Sequence, residues 1–410
     1  MRSLYIYTHG YPDPDGHSTA SRLSWLHLAL LAARGDVDLL ALVPLKEARA
    51  FPSPALRALC RDIRAIPAPP SRGAALRQVI AGAVRGRPPA LALKGHPAAA
   101  ALLQAALRPG RYDLLAFHST DGLVNLPARP PAPDDRPALV LFSEEIQWTA
   151  WRGYTFRQWR SIGLQQAIQS LLWRRMRSFE QSRFRLLDRV FCLSPREEES
   201  VRLLDPAIPA CLLPLPLEAE RLAPPAAPTE KPVILFTGFF GHPPNRLAAD
   251  ELARKIFPLV RRVLPEARLR LAGRGACSLR DCSGPGIERV DSLPSLTPEY
   301  QGAAVLAGPL RTGEGVRGKF LESLACGCPV ITTPLGASGI RAYESEGLLI
   351  RRTAAEFAGT LLELLPDASR RRQLGLAGRE AVLRHHSIEA FEAAFAAGLD
   401  PLTACHGRPS

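Results

Sequence analysis

Apolar residues along the chain gather into short runs separated by amphipathic stretches, and the alternation occurs twice. LYIYT (4–8) leads through a Gly/Pro/Asp loop into STASRLSWLHLALLAAR (18–34), and VDLLALV (37–43), YDLLAFH (112–118), ALVLF (138–142) and RVFCLS (189–194) continue the pattern. Short apolar runs bounded by turn residues predict buried strands, and the stretches with helical periodicity between them predict helices. A long helical region is expected over roughly 155–187, followed by a Pro- and Ala-rich stretch without periodicity, PLPLEAERLAPPAAPTEKP (214–232). The alternation then restarts with PVILFTG (232–238), a helix over 245–264, RLRLAG (268–273), AAVLAG (303–308) and PVITT (329–333), and closes on helices at 353–365 and 367–399.

Strands alternating with helices predict an α/β protein whose mainly parallel sheets are covered on both faces. The expected organisation is two doubly wound, Rossmann-like domains, 1–215 and 232–385, joined by a linker at 216–231. Residues 386–410 are expected as a helix and tail packing back toward the first domain. Doubly wound sheets bind ligands at the carboxyl ends of their strands, so a substrate cleft is expected where the two domains face each other.

Composition narrows the class. With 46% apolar and 22% charged residues in 410, each half can bury a core of its own. The net charge of +13 predicts attraction to anions, whether phosphate, nucleic acid or lipid headgroups. The eight Cys (60, 192, 211, 277, 282, 326, 328 and 405) form no C-x-x-C pair and have no His at zinc spacing, which predicts reduced thiols of a cytoplasmic protein. The amino end, MRSLYIYTHGYP, reads as neither signal peptide nor anchor, and no apolar run is long enough to span a bilayer. The acidic pair in Asp13-Pro14-Asp15 sits in a turn context, and no metal site is expected.

The densest chemistry lies in RTGEGVRGKFLESLACGCPVITT (311–333). Gly313, Gly315 and Gly318 spell G-x-G-x-x-G, but a dinucleotide site also needs an acidic residue at the end of the next strand. That strand, PVITT, is followed by PLGASGI, which has none. A sugar nucleotide accounts for more of the stretch. A helix over 317–326 offers its amino end to a diphosphate, Gly313 and Gly315 let backbone approach it, and Arg311, Arg317 and Lys319 supply charge. Glu322 on the helix and Glu314 in the loop are suited to accept from ribose and sugar hydroxyls.

EGVRGKFLE followed by SLACGCPVITT resembles the Glu-x7-Glu motif of retaining GT-B glycosyltransferases, the group that includes bacterial sugar transferases for surface polysaccharides. GFFGHPPNRLAADEL (238–252) is similar to the opening of the second domain in one of its subgroups. The resemblance is strong over 232–400 and diffuse before it. It implies a GT-B fold and a metal-independent transfer from a nucleoside-diphosphate sugar, which is a substrate rather than a cofactor. Glu314 would contact the donor sugar, Glu322 the ribose, and the backbone at Gly315 and Val316 the diphosphate. The family's Asp-x4-His pattern falls on Asp113 and His118, making His118 a donor-sugar contact. Relatives carry Gly-Arg after the first strand of the second domain, with a Lys nearby. GFFGHPPNR departs from that, so Arg246 or Lys319 would serve. The usual Gly-Gly loop of the first domain is DPDGHSTAS, with Gly16 alone.

Two further features bear on the acceptor. Glu144 and Glu145 follow the strand ALVLF and are placed to orient an acceptor hydroxyl. Within 151–190, nine Arg face two acidic residues and interleave with Trp151, Trp159 and Trp173. Trp151, Arg152, Trp159, Arg160, Trp173 and Arg174 therefore predict docking on an anionic membrane surface near a lipid-linked acceptor, on the inner face of the membrane. A surface helix packed by its apolar stripe fits the same pattern. Nucleic-acid binding is the weaker reading, since no module motif supports it. The function expected is retaining transfer of a sugar to a carbohydrate or lipid-linked acceptor. A sugar-nucleotide epimerase and a basic nucleic-acid-binding protein stand as the alternatives.

Overall fold

A computed structural model describes residues 1–14, 19–43, 52–67, 72–84, 86–149, 164–227, 229–291, 293–313, 315–341 and 344–406. The chain forms two compact units, Met1–Leu213 with Glu392–Ser410, and Pro214–Phe391.

The first unit is built on seven strands: β1 (Arg2–Tyr7), β2 (Asp36–Val43), β3 (Asp62–Pro67), β4 (Leu114–His118), β5 (Ala138–Phe142), β6 (Arg189–Cys192) and β7 (Ala210–Leu212). They pair in the order β3-β2-β1-β4-β5-β6-β7, every pair parallel. Every residue of β4 and β5 is buried, as expected for central strands covered on both faces. The order reverses between β1 and β4, which opens a crevice at their carboxyl ends.

The second unit has six parallel strands: β8 (Val233–Thr237), β9 (Arg268–Ala272), β10 (Ile287–Val290), β11 (Val305–Gly308), β12 (Val330–Thr332) and β13 (Leu348–Ile350). Their order, β10-β9-β8-β11-β12-β13, reverses between β8 and β11. Both units are thus doubly wound α/β domains.

Four strands escape the apolar pattern of the sequence, and all four are sheet edges: β3, β7, β10 and β13. An edge strand is covered incompletely, so it is short or carries charge, as in Arg64 of β3 and Glu288 and Arg289 of β10. The helix expected over 245–264 is three pieces, Pro243–Glu251, a π-turn at Leu252–Ile256, and Phe257–Val263. Pro258 has no N–H to continue the helical ladder, and the π-turn absorbs the break. The helix expected over 367–399 divides at Ser387 into Ala368–His386 and Ile388–His406, where the Ser387 hydroxyl accepts from Ala390 N at 3.1 Å as an amino-terminal cap. The region expected over 155–187 contains the helix Leu164–Phe184.

Residues 216–231, expected as a linker, pack on the second unit. Arg371 donates to Thr229 O at 2.6 Å, and Leu217 N donates to His386 O at 2.7 Å. Conversely, Phe395 belongs to the first unit. Its ring stacks on Phe142 at 5.5 Å and Phe191 at 6.1 Å, while Arg34 reaches Asp400 at 3.1 Å. Among the described residues no helix is long and apolar enough to cross a membrane.

Because Phe395 is fully buried among three aromatic side chains, Phe395→Ala is expected to cost about 3–5 kcal/mol. Chemical denaturation of the two proteins measures it. A loss below about 1 kcal/mol would mean that this helix does not contribute to the core.

Candidate functional site

The second unit concentrates its polar side chains where the strand order reverses. After β11 the chain runs through Gly313 (φ 91°) and Gly315 (φ 82°), left-handed conformations that disfavour any side chain. It then enters the helix Gly318–Ala325, which buries Phe320, Leu321, Leu324 and Ala325 against the sheet. That packing aims the helix's free amino end, with its unpaired N–H groups and positive dipole, at the carboxyl edge of the sheet.

One side chain of this helix, Lys319, reaches across to β8, and a second, Glu322, reaches Tyr300. Lys319 Nζ donates to Thr237 O at 2.9 Å and Asn245 Oδ1 at 2.7 Å, and lies 4.4 Å from the centre of the Phe236 ring. Burial, and then the neighbouring Arg317 charge, lower its pKa to about 7, with Glu322 opposing the shift. Glu322 Oε2 accepts from Tyr300 OH at 2.8 Å, and Tyr300 OH lies 3.2 Å from Thr237 Oγ1. The carboxylate is thereby fixed in one orientation. His242, at the start of the helix Pro243–Glu251, is pushed down by burial and by the charges of Arg317 and Lys319. The pocket edge is electropositive, which suits an anion.

Other expected donor contacts are placed differently. Arg311 is held by Glu251 through bonds of 2.8 and 3.2 Å, so its charge is already neutralised. Arg246 directs Nε toward Phe240 O at 3.4 Å. Val316 is half-buried in the loop before the helix. Glu314 and Gly16 lie outside the described residues.

The first unit has its own polar centre at the β1/β4 reversal. His118, the last residue of β4, is 0% exposed. Its Nδ1 lies 2.9 Å from Ser24 Oγ and 3.2 Å from Tyr5 OH, and its Nε2 lies 3.2 Å from Glu144 Oε1. Tyr5 OH also meets His27 Nδ1 at 3.0 Å, and burial keeps His27 well below its ordinary pKa. Ser119, directly after His118, has φ 64°, the one non-glycine residue with positive φ among the described residues. Such backbone strain persists where surrounding contacts over-determine it. Burial works against the charge of Glu144, yet the His118 bond and the potentials of His118 and His9 leave it below the usual carboxylate range. At 25% exposed, it is the member of the pair that solvent reaches.

A second layer surrounds this pair. Asp121 lies 3.4 Å from His9 Nε2 and 3.6 Å from Lys94 Nζ, and Lys94 donates to Thr8 O at 2.8 Å. Asp113, which shares the expected motif with His118, accepts from Arg2 N at 2.6 Å and so ties the starts of β4 and β1 together. Its place is structural.

In the helix Leu164–Phe184, Met176, Phe179, Glu180 and Phe184 are buried, while Leu171, Arg174, Arg177 and Ser178 are exposed. Trp173 is half-buried and donates to Trp148 O at 3.0 Å, and Arg177 stacks over the Trp148 ring at 5.4 Å. Glu180 is fully buried and accepts from Thr120 Oγ1 and from Gln147 and Trp148 N, each at 2.9 Å. Burial pushes its carboxyl up to about 7, against those bonds. Arg174 is exposed, whereas Trp151, Arg152, Trp159 and Arg160 lie outside the described residues. Trp173 is a packing anchor, because its indole N–H and one face are already occupied.

Residues 231–367 match a family model described as "Glycosyl transferases group 1". A GDP-mannose-dependent monoacylated alpha-(1-6)-phosphatidylinositol monomannoside mannosyltransferase of Corynebacterium glutamicum is 32% identical over 151 residues, 33% of this chain. The match spans 39% of that protein's length. Sucrose-phosphate synthase from Thermosynechococcus elongatus superposes with a TM-score of 0.67 at 20% identity, covering 98% of this chain and 99% of that one. Anabaena HepE in complex with UDP and glucose superposes at 0.60 with 13% identity, covering 97% and 99%. The fold is GT-B.

Within the GT-B frame, the residues missed by sequence reasoning are Tyr5, His9, Ser24, His27, Lys94 and Asp121. Ser24 and His27 did carry a signal, since residues three apart share a helix face.

A lysine held near 7 when folded, against an ordinary value of 10.5, leaves the unfolded chain with the extra proton between those two values. Stability therefore rises with pH across that window, and the rise belongs to Lys319. Relative to Lys319→Met, the wild type is expected to gain in urea midpoint from pH 7 to 10. Parallel curves would contradict the burial of this ammonium.

Proposed function

We propose that the protein is a retaining glycosyltransferase that moves a sugar from a nucleoside-diphosphate donor to a carbohydrate or lipid-linked acceptor in surface-polysaccharide or glycolipid assembly. The observation that carries this reading is the arrangement at the β8/β11 reversal. There a helix amino end, two left-handed glycines and Lys319 converge on one edge, with Glu322 oriented by Tyr300 beside them. Diphosphate fits the first group and ribose hydroxyls fit the second. Electrostatic stabilisation of the departing diphosphate would supply much of the rate.

By the resemblance, Glu314 contacts the donor sugar, and Gly313, Gly315 and Val316 present backbone to the phosphates. His118 holds Glu144, and Glu144 with Glu145 orients the acceptor hydroxyl. The Corynebacterium relative is named for GDP-mannose and a phosphatidylinositol mannoside, which favours a lipid-linked acceptor. The Anabaena structure holds UDP and glucose, so the base of the donor is the first variable to test.

A thermal-shift panel with UDP-, GDP- and ADP-sugars and with NAD separates the readings. One sugar nucleotide at a hundred times its Kd is expected to add about 2.7 kcal/mol, a rise of a few degrees. A shift with NAD alone would overturn the proposal. In turnover assays Glu314→Ala is expected to reduce transfer about 10²-fold or more with the melting temperature unchanged. Normal turnover would remove Glu314 from its role.

A further inference from the structure

At the β8/β11 edge the charges beside the amino end of the helix are those of Arg317 and Lys319. Arg311 is neutralised by Glu251, and Arg246 is turned to a backbone carbonyl. Burial, and then the Arg317 charge, lower the pKa of Lys319 to about 7. A diphosphate with two or more negative charges calls for a cation that is always protonated and has free donors.

Besides Arg317, a second guanidinium stands on the adjacent loop. β9 ends at Ala272 and is followed by Gly273, Arg274 and Gly275. This loop is pinned against the one after β8. Gly238 N donates to Ala272 O at 3.1 Å and Phe240 N to Arg274 O at 2.9 Å, while Gly275 N donates to Asp291 Oδ1 at 2.8 Å. Gly273 has φ 123°, and a Cβ there would lie 2.5 Å from Gly238 O, so the close approach needs glycine. The backbone on both sides of Arg274 is thus fixed.

The Arg274 guanidinium lies over the Phe239 ring, its carbon 4.1 Å from the ring centre. Phe239 itself is 47% exposed. Among the described residues Arg274 forms no ion pair with a carboxylate. Stacking occupies the face of the guanidinium and leaves its N–H edges free, the geometry that binds phosphate bidentately. Phe239 O accepts from Asn245 Nδ2 at 3.0 Å, and Asn245 Oδ1 accepts from Lys319. Arg274 thus meets the ring of Phe239, while Lys319 is connected to the carbonyl of the same residue through Asn245.

We infer that Arg274, held over Phe239, binds the phosphates of the nucleoside diphosphate and adds a permanent charge to that site. The inference rests on the proposal that the second unit binds a nucleotide sugar. Phe239 acts as a positioning residue for the guanidinium.

Calorimetric titration of the full chain with UDP, GDP and ADP, and with the parent nucleosides, tests it. For the diphosphate that binds the wild type, Arg274→Gln is expected to weaken affinity tenfold or more while nucleoside affinity stays the same. Arg274→Lys should recover part of the loss, since an ammonium keeps the charge without the fork. Phe239→Leu should lose less than Arg274→Gln, and again for the diphosphate alone. Undiminished diphosphate binding by Arg274→Gln would overturn the inference and leave the proposed function standing. So would an equal fall for nucleoside and diphosphate, which would place Arg274 on the base or ribose. A wild-type protein that binds none of the three diphosphates would overturn both.

Discussion

Reversal of strand order in a parallel sheet is the constraint on which the rest depends. Where neighbouring strands send their connections to opposite faces, their carboxyl ends part and cannot be covered by either helix layer. In the second sheet this happens between β8 and β11, and the helix Gly318–Ala325 brings its amino end to the gap. In the first sheet it happens between β1 and β4, and His118 ends the strand at that place. Each unit thereby gains an uncovered polar edge above a buried apolar core.

The two edges are tuned in opposite senses. Around Lys319 the charge of Arg317 adds to burial and Glu322 opposes it, and the burial of the ammonium against Phe236 is compensated by neutral acceptors, Thr237 O and Asn245 Oδ1. A bound anion would restore the charge that burial discourages. Around His118 the pattern is reversed. Hydroxyls of Tyr5 and Ser24 flank one ring nitrogen, and the carboxylate of Glu144 faces the other. One edge is suited to a phosphate and the other to hydroxyl groups.

The doubly wound architecture was legible because central strands such as VILFT and ALVLF are buried on both faces and read as unbroken apolar runs. The edge strands were not, since partial cover permits Arg64, Glu288 and Arg289 within them. Local signals placed Glu322 and Lys319 correctly on one helix. They could not show that Tyr300, 22 residues earlier, would orient Glu322, nor that Glu251 would claim Arg311 from 60 residues away. The Tyr5–His118 contact joins residues 113 apart, and its partners Ser24 and His27 come from yet another element. Contacts of that range follow from topology, which fixes which strand ends meet. For the same reason Trp173 looked like a surface aromatic in the sequence, while in the fold it closes over Trp148.

The central claim is that the β8/β11 reversal of the second unit is the donor site. A crystal structure of the protein soaked with the sugar nucleotide it binds tests this most directly. The account predicts diphosphate density at the amino end of Gly318–Ala325, against Gly313, Gly315 and Lys319, with a ribose hydroxyl on Glu322. Well-ordered nucleotide elsewhere on the chain, with this edge empty, would contradict it.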